Sequence, residues 1–595
     1  MASSGNFAVW NKLAGTLSNA AGSSTLYEHG NTSFRGNDGG GNNGFSPLTL
    51  HMTSGKWYFE VYLDGSPAGG WPGIGIIKAD NITEAQRTGN FQNQNYTSHV
   101  IATNGNKNVF DQTSNASYGT SFSSGDIYNI AVDIDGGKVW WGKNNTYFNS
   151  GNPATGDNAG DTFTAGTEMA IFATVYNGAS KCVINSGQNS TFNGAVTAGS
   201  NADGNGFGDF KYSPPSGYLA LCSANLPVAA SIDPAETDDN HPQKNFNALI
   251  YSGDGTSSNA ITGLGFRPDL TWIKERNGTN LYSHSMTDSS RGRARMIFAE
   301  HNREEDGSTS TQDLVSFDSD GFTVGSNQET NSNGSTGTFI SWCWRANAGT
   351  TATNTSGTIT STVQANQDLG FSIVTWTGTG TNSTVGHGLS AAPDCIWIKN
   401  RTDDTSSDGD ASGRNWVIFN SALGSSDILS LNQTNNKDTG TGYLNGTDPT
   451  STVFSVGESV DTNESSHAMI AYCWHNIVGY QKFGTYTGNG NADGPYVNLG
   501  FRPRLVITKM TNGSYSEHWN MWDSVDDTKG DPCGNDIEEL HRITEATEAT
   551  SSTIDINFFS NGFKITGSNT EQNEDNKTIA YFAWADVPFK YNNGF

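Results

Sequence analysis

Residues 56–63, with the sequence KWYFEVYL, decide the fold class of the chain. Their bulky side chains recur with a period of two, which is typical of a half-buried β-strand. Ile127–Trp141 continues the pattern as two arms around Asp135-Gly136-Gly137, a sequence that favours a tight hairpin turn. Glu168–Tyr176 and Lys181–Asn185 predict two further strands. The first 227 residues therefore predict an all-β sandwich without a helical period.

Ordered landmarks in this region resemble the SPRY domain family. The resemblance implies a concanavalin-like two-sheet sandwich that binds partners through loops at one end and has no catalytic activity. Ser186 stands where the family usually has an aromatic residue. The landmarks are Gly55–Val61 (GKWYFEV), Gly73–Ile76 (GIGI), Gly125-Asp126 with Ala131–Asp133, Lys138–Trp141 with Lys143-Asn144, Asn185–Gln188 (NSGQ) and the closing Phe210–Pro227.

Beyond Pro227 the chain repeats one order of landmarks three times. The first proline and the last tryptophan of each copy are 76, 81 and 81 residues apart, a spacing that indicates three copies of one antiparallel β-sandwich module. We expect the SPRY-like sandwich at 1–227 and modules at 228–350, 351–480 and 481–595, each packed around its own core, with linkers at 228–244 and 346–367. The shared landmarks are a proline-containing strand (265–274, 388–399, 500–509), an Asp/Asn-Ser pair (288–289, 420–421, 523–524) and a closing strand (339–344, 469–474, 578–584).

Charge and composition exclude several classes of function. The net charge of −27 opposes binding to nucleic acid or to an anionic membrane surface. No apolar segment is long enough to insert into a membrane, and Met1–Trp10 has no features of a secretion signal. The six cysteines are widely spaced, so we expect buried free thiols in a reducing cytosol rather than disulfides or zinc ligands.

Exposed aromatic residues on loops are the candidate ligand-binding residues, because aromatic rings stack on sugars. The candidates are Trp71, Tyr96, Trp519 and Trp522. The tryptophans that recur within strands are either sugar platforms or core residues, and their regular apolar setting favours the core. Those recurring residues are Trp272, Trp344, Trp397, Trp474 and Trp584.

Two charged patterns have alternative interpretations. The acidic residues Asp403, Asp404, Asp408 and Asp410 form either a solvated loop or a weak calcium site, but not an EF-hand, because Arg414 occupies the position of the required glutamate. The basic residues that recur in the modules favour pairing with local carboxylates over a basic binding patch. They are Arg267, Lys274, Lys399, Arg502 and Lys509.

No catalytic motif is present: GxSxG, HExxH and GxxxxGK[ST] are all absent. A pair of glycosidase carboxylates could still meet in space. The order of a SPRY domain and three modules resembles tail-fibre-like virion proteins of marine bacteriophages. We therefore expect a non-enzymatic structural protein on the virion surface, without cofactors, that binds host-surface glycan; the alternative is a capsid or tail decoration without receptor binding. Expected partners are other virion proteins and further copies of the chain.

Overall fold

The computed structural model describes residues 5–15, 26–36, 43–67, 72–88, 97–109, 115–176, 180–277, 282–306, 313–332, 337–402, 414–525, 536–537, 539–544, 549–550 and 553–591. The chain is all-β and divides into two compact units. Unit 1 contains residues 1–227 and 495–500, and unit 2 contains residues 228–494 and 501–595. The strand Tyr496–Asn498 falls in unit 1.

Unit 1 is a sandwich of two sheets in which the predicted strands lie at central positions. The strand Lys56–Gly65 pairs with Ile127–Asp133 on one side and Ser180–Asn185 on the other. Leu219–Ala220 adds a parallel pairing to the same strand. The first sheet has the order Leu26–Glu28, Ser33–Arg35, Ser180–Asn185, Lys56–Gly65, Ile127–Asp133, Lys138–Lys143, Thr146–Tyr147, with Asp161–Thr162 on Lys138–Lys143. The second has the order Asn43–Pro47, Met169–Tyr176, Gly73–Lys78, Ser98–Ala102, Asn106–Val109, Asn115–Ser117.

The predicted turn between Ile127–Asp133 and Lys138–Lys143 is present. Gly137 has φ +60, the left-handed conformation that such turns require. One α-helix, Ile82–Thr88, occurs among the described residues of unit 1. Short 3-10 helices lie at Lys12–Ala14, Ala79–Asn81, Phe148–Ser150 and Ser223–Asn225.

A buried glutamate fastens the closing segment of unit 1 to the first sheet. The carboxylate of Glu60 accepts hydrogen bonds from the backbone N–H groups of Lys211 (2.8 Å) and Tyr212 (2.7 Å) and from the Asn185 amide (2.9 Å). Burial raises the pKa of Glu60 to about 7, against the opposing effect of these donors. The strand residue thus holds the chain that follows Phe210, which explains how a polar residue is retained in the core.

Unit 2 repeats one strand order three times, and we call its parts module 1 (228–350), module 2 (351–480) and module 3 (481–494 with 501–595). In each copy the closing strand lies between an opening strand and the strand that contains or follows the repeated proline. The opening strands are Phe246–Ser252, Phe371–Thr377 and Gln481–Thr487, and the strands at the proline are Leu270–Glu275, Cys395–Asn400 and Phe501–Met510. Module 1 has the sheets Phe246–Ser252, Thr338–Trp344, Leu270–Glu275, Ser285–Asp288, Ile297–Phe298 and Asn259–Thr262, Gly321–Val324, Leu314–Asp318. Module 2 has Ala352–Asn354, Ser361–Asn366, Phe371–Thr377, Ala468–Trp474, Cys395–Asn400, Val417–Asn420, and the pairs Ser383–Gly386 with Val453–Val456 and Asp427–Ile428 with Asp438–Thr439. Module 3 has Gln481–Thr487, Thr578–Pro588, Phe501–Met510, Asn520–Asp523, Glu539–Arg542, Ala549–Thr550, and Gly562–Ile565 paired with Ile556–Phe559, which pairs with Asp536–Ile537.

Each module also has a one-turn α-helix: Gln328–Asn331, Val460–Asn463 and Thr570–Asn573. The last residue of each helix is a buried asparagine whose amide bonds the backbone of the turn after the opening strand. In module 2, Asn463 Nδ2 donates to Thr381 O (2.7 Å) and Gly457 O (3.1 Å), and Asn463 Oδ1 accepts from Thr379 N (2.9 Å). Asn331 and Asn573 make the corresponding bonds, so the three copies share a polar anchor as well as a strand order.

The recurring tryptophans form one core that all three modules share. Trp344, Trp474 and Trp584 are fully buried, and their ring centroids form a triangle with sides of 6.1, 5.3 and 5.7 Å. Trp397 lies 4.9 Å from Trp474 and 5.6 Å from Trp272. The core interpretation of these residues is confirmed. Modules 1 and 2 also have apolar clusters of their own, which include Phe322 and Phe454 respectively. The expectation that the modules pack independently is wrong, because each closing tryptophan packs against its counterparts in the other two modules.

Hydrogen bonds between the modules form a closed cycle. In each module an aromatic ring N–H donates to a backbone carbonyl of another module. The donors are His284, Trp416 and Trp519, each of which directly precedes the strand that ends at the Asp/Asn-Ser pair. Module 2 donates to module 1, module 3 donates to module 2, and module 1 donates to module 3. His284 follows the same rule as the tryptophans: its Nδ1 accepts from Trp272 Nε1 (3.0 Å), so its proton lies on Nε2. The three bonds are Trp416 Nε1 to Phe298 O, Trp519 Nε1 to Ser430 O and His284 Nε2 to Arg542 O, each 2.9 Å.

One predicted linker is also wrong. Residues 346–367 contain the strands Ala352–Asn354 and Ser361–Asn366, and the second of these pairs with Phe371–Thr377. Ile359 and Val363 are buried, which gives this Thr- and Ser-rich segment enough apolar surface to join the sheet. The other predicted linker, 228–244, contains the 3-10 helices Ala230–Ile232, Asp238–Asn240 and Pro242–Lys244; a last one is Phe589–Tyr591.

The cysteines that the structure describes match the expected chemistry. Cys182, Cys222, Cys343, Cys395 and Cys473 are buried free thiols. Cys533 lies outside the described residues. No helix in the described ranges is both long and apolar enough to cross a bilayer.

Candidate ligand-binding cleft

Two of the predicted ligand-binding aromatics are core residues. Trp519 directly precedes the strand Asn520–Asp523 and is 1% exposed. Trp522 lies within that strand and is 0% exposed. Trp519 packs on Phe582 with ring centroids 5.7 Å apart and donates to the backbone of module 2. The prediction that these two residues sit on loops and stack on a ligand is therefore wrong.

The remaining predicted site residues lie outside the described residues. These are Trp71, Tyr96 and the calcium candidates Asp403, Asp404, Asp408 and Asp410. No group of three or more metal-ligating side chains occurs in the described part of the chain. Among those residues the most exposed aromatic is Tyr515, at 67%, which no sequence pattern singles out.

The repeated basic residues divide between two environments. Arg267 pairs with Asp269, as expected. The buried lysines instead donate to backbone carbonyls: Lys399 Nζ to Asn302 O (2.8 Å) and Arg414 O (2.6 Å). Burial lowers the pKa of Lys399 to about 7. Lys274 donates to Tyr282 O, and Lys509 donates to Thr434 O and Glu517 O. For Lys399 and Lys509 the expectation of pairing with a carboxylate is wrong, since backbone carbonyls accept from their ammonium groups.

A polar cleft of about 590 Å³ opens between modules 1 and 2. Its wall from module 1 is the turn and hairpin after strand Ser285–Asp288, and its wall from module 2 is formed by neighbouring strand ends. The cleft has no aromatic lining residue among the described residues. The lining residues are Ser290, Arg291, Arg295, Glu304 and Glu305 from module 1, and Thr375, Arg401, Thr402 and Ala468 from module 2.

Glu305 organises the charged side of the cleft. Its Oε2 accepts hydrogen bonds from Arg291 Nη1 and Arg401 Nη1, both at 2.9 Å, and its Oε1 lies 3.3 Å from Arg295 Nη1. The backbone also joins here, because Glu305 N donates to Arg401 O (3.0 Å). Burial would raise the pKa of Glu305, but the charges of Arg291 and Arg401 outweigh it and hold that pKa below its usual value.

The floor of the cleft is fixed by contacts between the two modules. The Arg291 side chain is 2% exposed; it pairs with Asp288 and lies 3.3 Å from the hydroxyl of Tyr472. Tyr472 donates to Asp288 Oδ2 at 2.8 Å. Burial opposes the charge on Arg291, but Asp288 and the other partners raise the net pKa of its guanidinium. The floor is a fully paired network.

The groups at the rim are exposed in the structure of the described residues. The Arg295 side chain is 48% exposed, and its ion pair with Glu305 is the one contact that its guanidinium makes among the described residues. Glu304 and Thr402 are also exposed at the rim. The cleft therefore has paired charges at its floor and both hydrogen-bond donors and acceptors at its rim, which can orient a hydroxyl-rich ligand.

No local sequence pattern marks the cleft. Arg291 and Arg401 are 110 positions apart and meet through the packing of two modules. The sequence signal that points to this region is a local excess of arginine, because residues 291–303 contain four arginines in a chain of net charge −27.

A family described as "Domain of unknown function (DUF7483)" matches residues 241–588. No curated protein matches the chain.

Several solved structures are similar to part of the chain. The SPRY domain of human HERC1 is 15% identical, with 29% of this chain and 96% of that chain covered and a TM-score of 0.22. A human SPRY domain is 12% identical, with 27% and 93% covered and a TM-score of 0.21. The carbohydrate binding module CBM66 from Bacillus subtilis is 11% identical, with 28% and 95% covered and a TM-score of 0.18. Because these TM-scores are below 0.5, none of these likenesses bears on what the chain does.

Proposed function

The chain belongs to the DUF7483 family, and we propose that it is a non-enzymatic virion protein of a bacteriophage that binds glycan on the host surface. The virion assignment rests on the ordered SPRY-like landmarks followed by three modules, an arrangement that resembles tail-fibre-like proteins. The family match covers the modules, and its description assigns no activity.

The observation that carries the glycan part of the proposal is the cleft between modules 1 and 2. Its volume of about 590 Å³ is within the range of ligand sites, roughly 300–1,000 Å³. Most such sites are largely apolar, whereas this one is lined by hydroxyl, guanidinium and carboxylate groups. A sugar presents many hydroxyls that both donate and accept, so a lining of this kind fits it better than it fits an apolar ligand.

Glu305 is unsuited to act as the proton donor of a glycosidase. A glycosidase needs one carboxylic acid that carries a proton near neutral pH. The pKa of Glu305 is held below its usual value by Arg291 and Arg401, so this carboxylate stays ionised and cannot donate a proton. A binding protein has no such requirement.

Weak binding at one cleft is sufficient for attachment when many copies act together. Copies fixed on one particle engage a polysaccharide at high effective concentration, which multiplies their combined affinity. The proposed partners are therefore host-surface glycan, other virion proteins and further copies of this chain.

Affinity electrophoresis of the full chain tests the glycan proposal. Gels containing dextran, alginate or dextran sulfate should retard the protein, and incubation with the same polymers should release no reducing sugar. A chain that migrates unretarded in all of them contradicts glycan binding, and release of reducing ends contradicts the non-enzymatic assignment. Immunogold electron microscopy of phage particles tests the virion location.

A second candidate is a decoration protein of the capsid or tail without a receptor. The closed cycle of hydrogen bonds between modules supports it, because a rigid unit is suited to covering a particle. Labelled particles together with a protein that binds no polysaccharide would favour this candidate.

A further inference from the structure

We infer that the cleft selects an acidic glycan, whose carboxylate or sulfate group pairs with Arg295 while its hydroxyls bond Glu304 and the rim hydroxyls. This inference rests on the proposed glycan function and adds the class of sugar.

Arg295 is the candidate partner for an anionic group of the ligand. One carboxylate oxygen, Glu305 Oε1, lies 3.3 Å from Arg295 Nη1, and this ion pair is longer than the 2.9 Å bonds that Arg291 and Arg401 make to the other oxygen. Nearly half of the Arg295 side chain is exposed. A guanidinium has five donors in a planar fork that matches two oxygens of a carboxylate or sulfate. With respect to the described part of the chain, Arg295 thus keeps most of this fork available.

The charge of Glu305 is already paired with those of neighbouring arginines. It is surrounded by three guanidinium groups, and its pKa is held below its usual value by the charges of Arg291 and Arg401. A further anion at the rim therefore meets a positively charged neighbour rather than an uncompensated carboxylate at this point. The buried pair of Arg291 and Asp288 beneath it is fixed, so Arg295 can turn toward a ligand without loss of the floor.

Glu304 is exposed at the same rim, where its carboxylate can accept hydrogen bonds from a ligand. A carboxylate accepts two hydroxyl donors from one sugar ring, which gives orientation. The same charge repels an anionic ligand, so it costs affinity for an acidic sugar while it fixes the pose. This opposition predicts a sign: removal of the charge strengthens binding to an acidic glycan and weakens binding to a neutral one.

The experiment measures affinity of the full chain for oligosaccharides of alginate, for dextran sulfate and for neutral dextran by calorimetry. We expect binding to at least one of the two anionic probes, and the one that binds identifies a carboxylate or a sulfate as the partner. Arg295→Gln should weaken it about tenfold, and Arg295→Lys, which keeps the charge without the fork, about threefold. Glu304→Gln should strengthen it about twofold.

Arg293→Gln is the matched control, because Arg293 is exposed two positions away and does not line the cleft. It should change the affinity less than twofold. Equal losses in Arg293→Gln and Arg295→Gln would mean diffuse attraction to the basic segment and would overturn the inference. Tightening by Glu304→Gln also distinguishes a ligand contact from misfolding, which can only weaken binding.

The outcomes separate the inference from the proposed function. Equal binding of neutral dextran, with no effect of Arg295→Gln, overturns the acidic class and leaves glycan binding standing. No binding to any probe overturns both.

Discussion

The Tyr472 hydroxyl in module 2 donates to Asp288 Oδ2 in module 1 at 2.8 Å, and both side chains are buried. The equivalent residues of modules 1 and 3, Trp342 and Asp523, are joined in the same way at 3.2 Å. In the third junction the donor is replaced by Phe582, and the partner is Asn420, which donates to Gly484 O instead. The two positions therefore vary together. An aspartate stands opposite Tyr472 and Trp342, which can donate a hydrogen bond, and an uncharged asparagine occurs at the junction where Phe582 cannot donate.

The first prediction concerns this bond. Tyr472→Phe should lower the free energy of unfolding by about 1.5–3 kcal/mol, because a hydrogen bond to a buried charged group is lost. Urea unfolding of the full chain measures it. Tyr515→Phe is the control, since the Tyr515 side chain is 67% exposed, and it should leave the midpoint unchanged. Equal midpoints for wild type and Tyr472→Phe would contradict the assigned role.

A second prediction transfers the pair to the junction that lacks it. Asn420→Asp alone should destabilise the protein, because it places a carboxylate at a buried position where Phe582, the counterpart of the donors at the other two junctions, cannot donate a hydrogen bond. Combined with Phe582→Tyr, the loss should shrink, with a coupling energy of about 1–3 kcal/mol in a double-mutant cycle. Additive effects of the two substitutions would show that these side chains do not meet in the way that their counterparts meet at the other two junctions.

A third prediction concerns the turn that the buried asparagine holds. A Cβ on Gly378 would lie 2.1 Å from Glu464 O, so the backbone would have to move. Gly378→Ala should cost about 1–3 kcal/mol of stability. Gly442→Ala in the same module is the control, because nothing lies within 4 Å of its added Cβ. A variant at 378 as stable as that at 442 would be inconsistent with the close approach.

A fourth prediction follows from Glu60, whose pKa is raised by burial to about 7 from 4.5. Between these values the folded state binds more protons than the unfolded state, so this group favours folding at low pH and loses that contribution as pH rises to about 7. Hydrogen exchange at the amides of Lys211 and Tyr212 should accordingly become faster from pH 4.5 to 7, after correction for the intrinsic rate. Glu60→Gln should abolish this dependence; the same slope in both proteins would assign it to another group.

A fifth prediction has the opposite sign. Burial lowers the pKa of Lys399 to about 7 from 10.5, so between these values the unfolded state binds more protons and stability rises with pH. The neutral amine still has two donors for its two carbonyl partners. Relative to Lys399→Met, the wild type should gain at most about 1.4 kcal/mol per pH unit from about pH 7 to 9. The exposed Lys12→Met gives the baseline, and a difference that does not change with pH would contradict burial of the charge.

Residue patterns predict the elements of this protein better than their assembly. The alternation in Lys56–Gly65 and the hairpin around Gly137 are read correctly because strand period and turn chemistry are local. The recurring tryptophans are recognisable as core for the same reason. Their shared packing is not, since an apolar side chain has the same sequence pattern whether it faces its own module or a neighbour.

The candidate site shows the same limit. The sequence predicts Trp519 as a loop aromatic, but this residue precedes a buried strand and donates to Ser430 O in another module. The cleft depends on Arg291 and Arg401 meeting across a module boundary, and no spacing within one module encodes that meeting. The alternation that places residues inside strands therefore cannot identify the residues that line the gap between sheets.

The bonds from His284 to Arg542 and from Trp342 to Asp523 join the beginning of unit 2 to its end. Arg542 and Asp523 are synthesised more than 180 residues after their respective partners, His284 and Trp342. Until then the first two modules expose the indole faces that module 3 will cover. We therefore expect a chain truncated within module 3 to expose apolar surface, to aggregate and to be a substrate for chaperones and proteases.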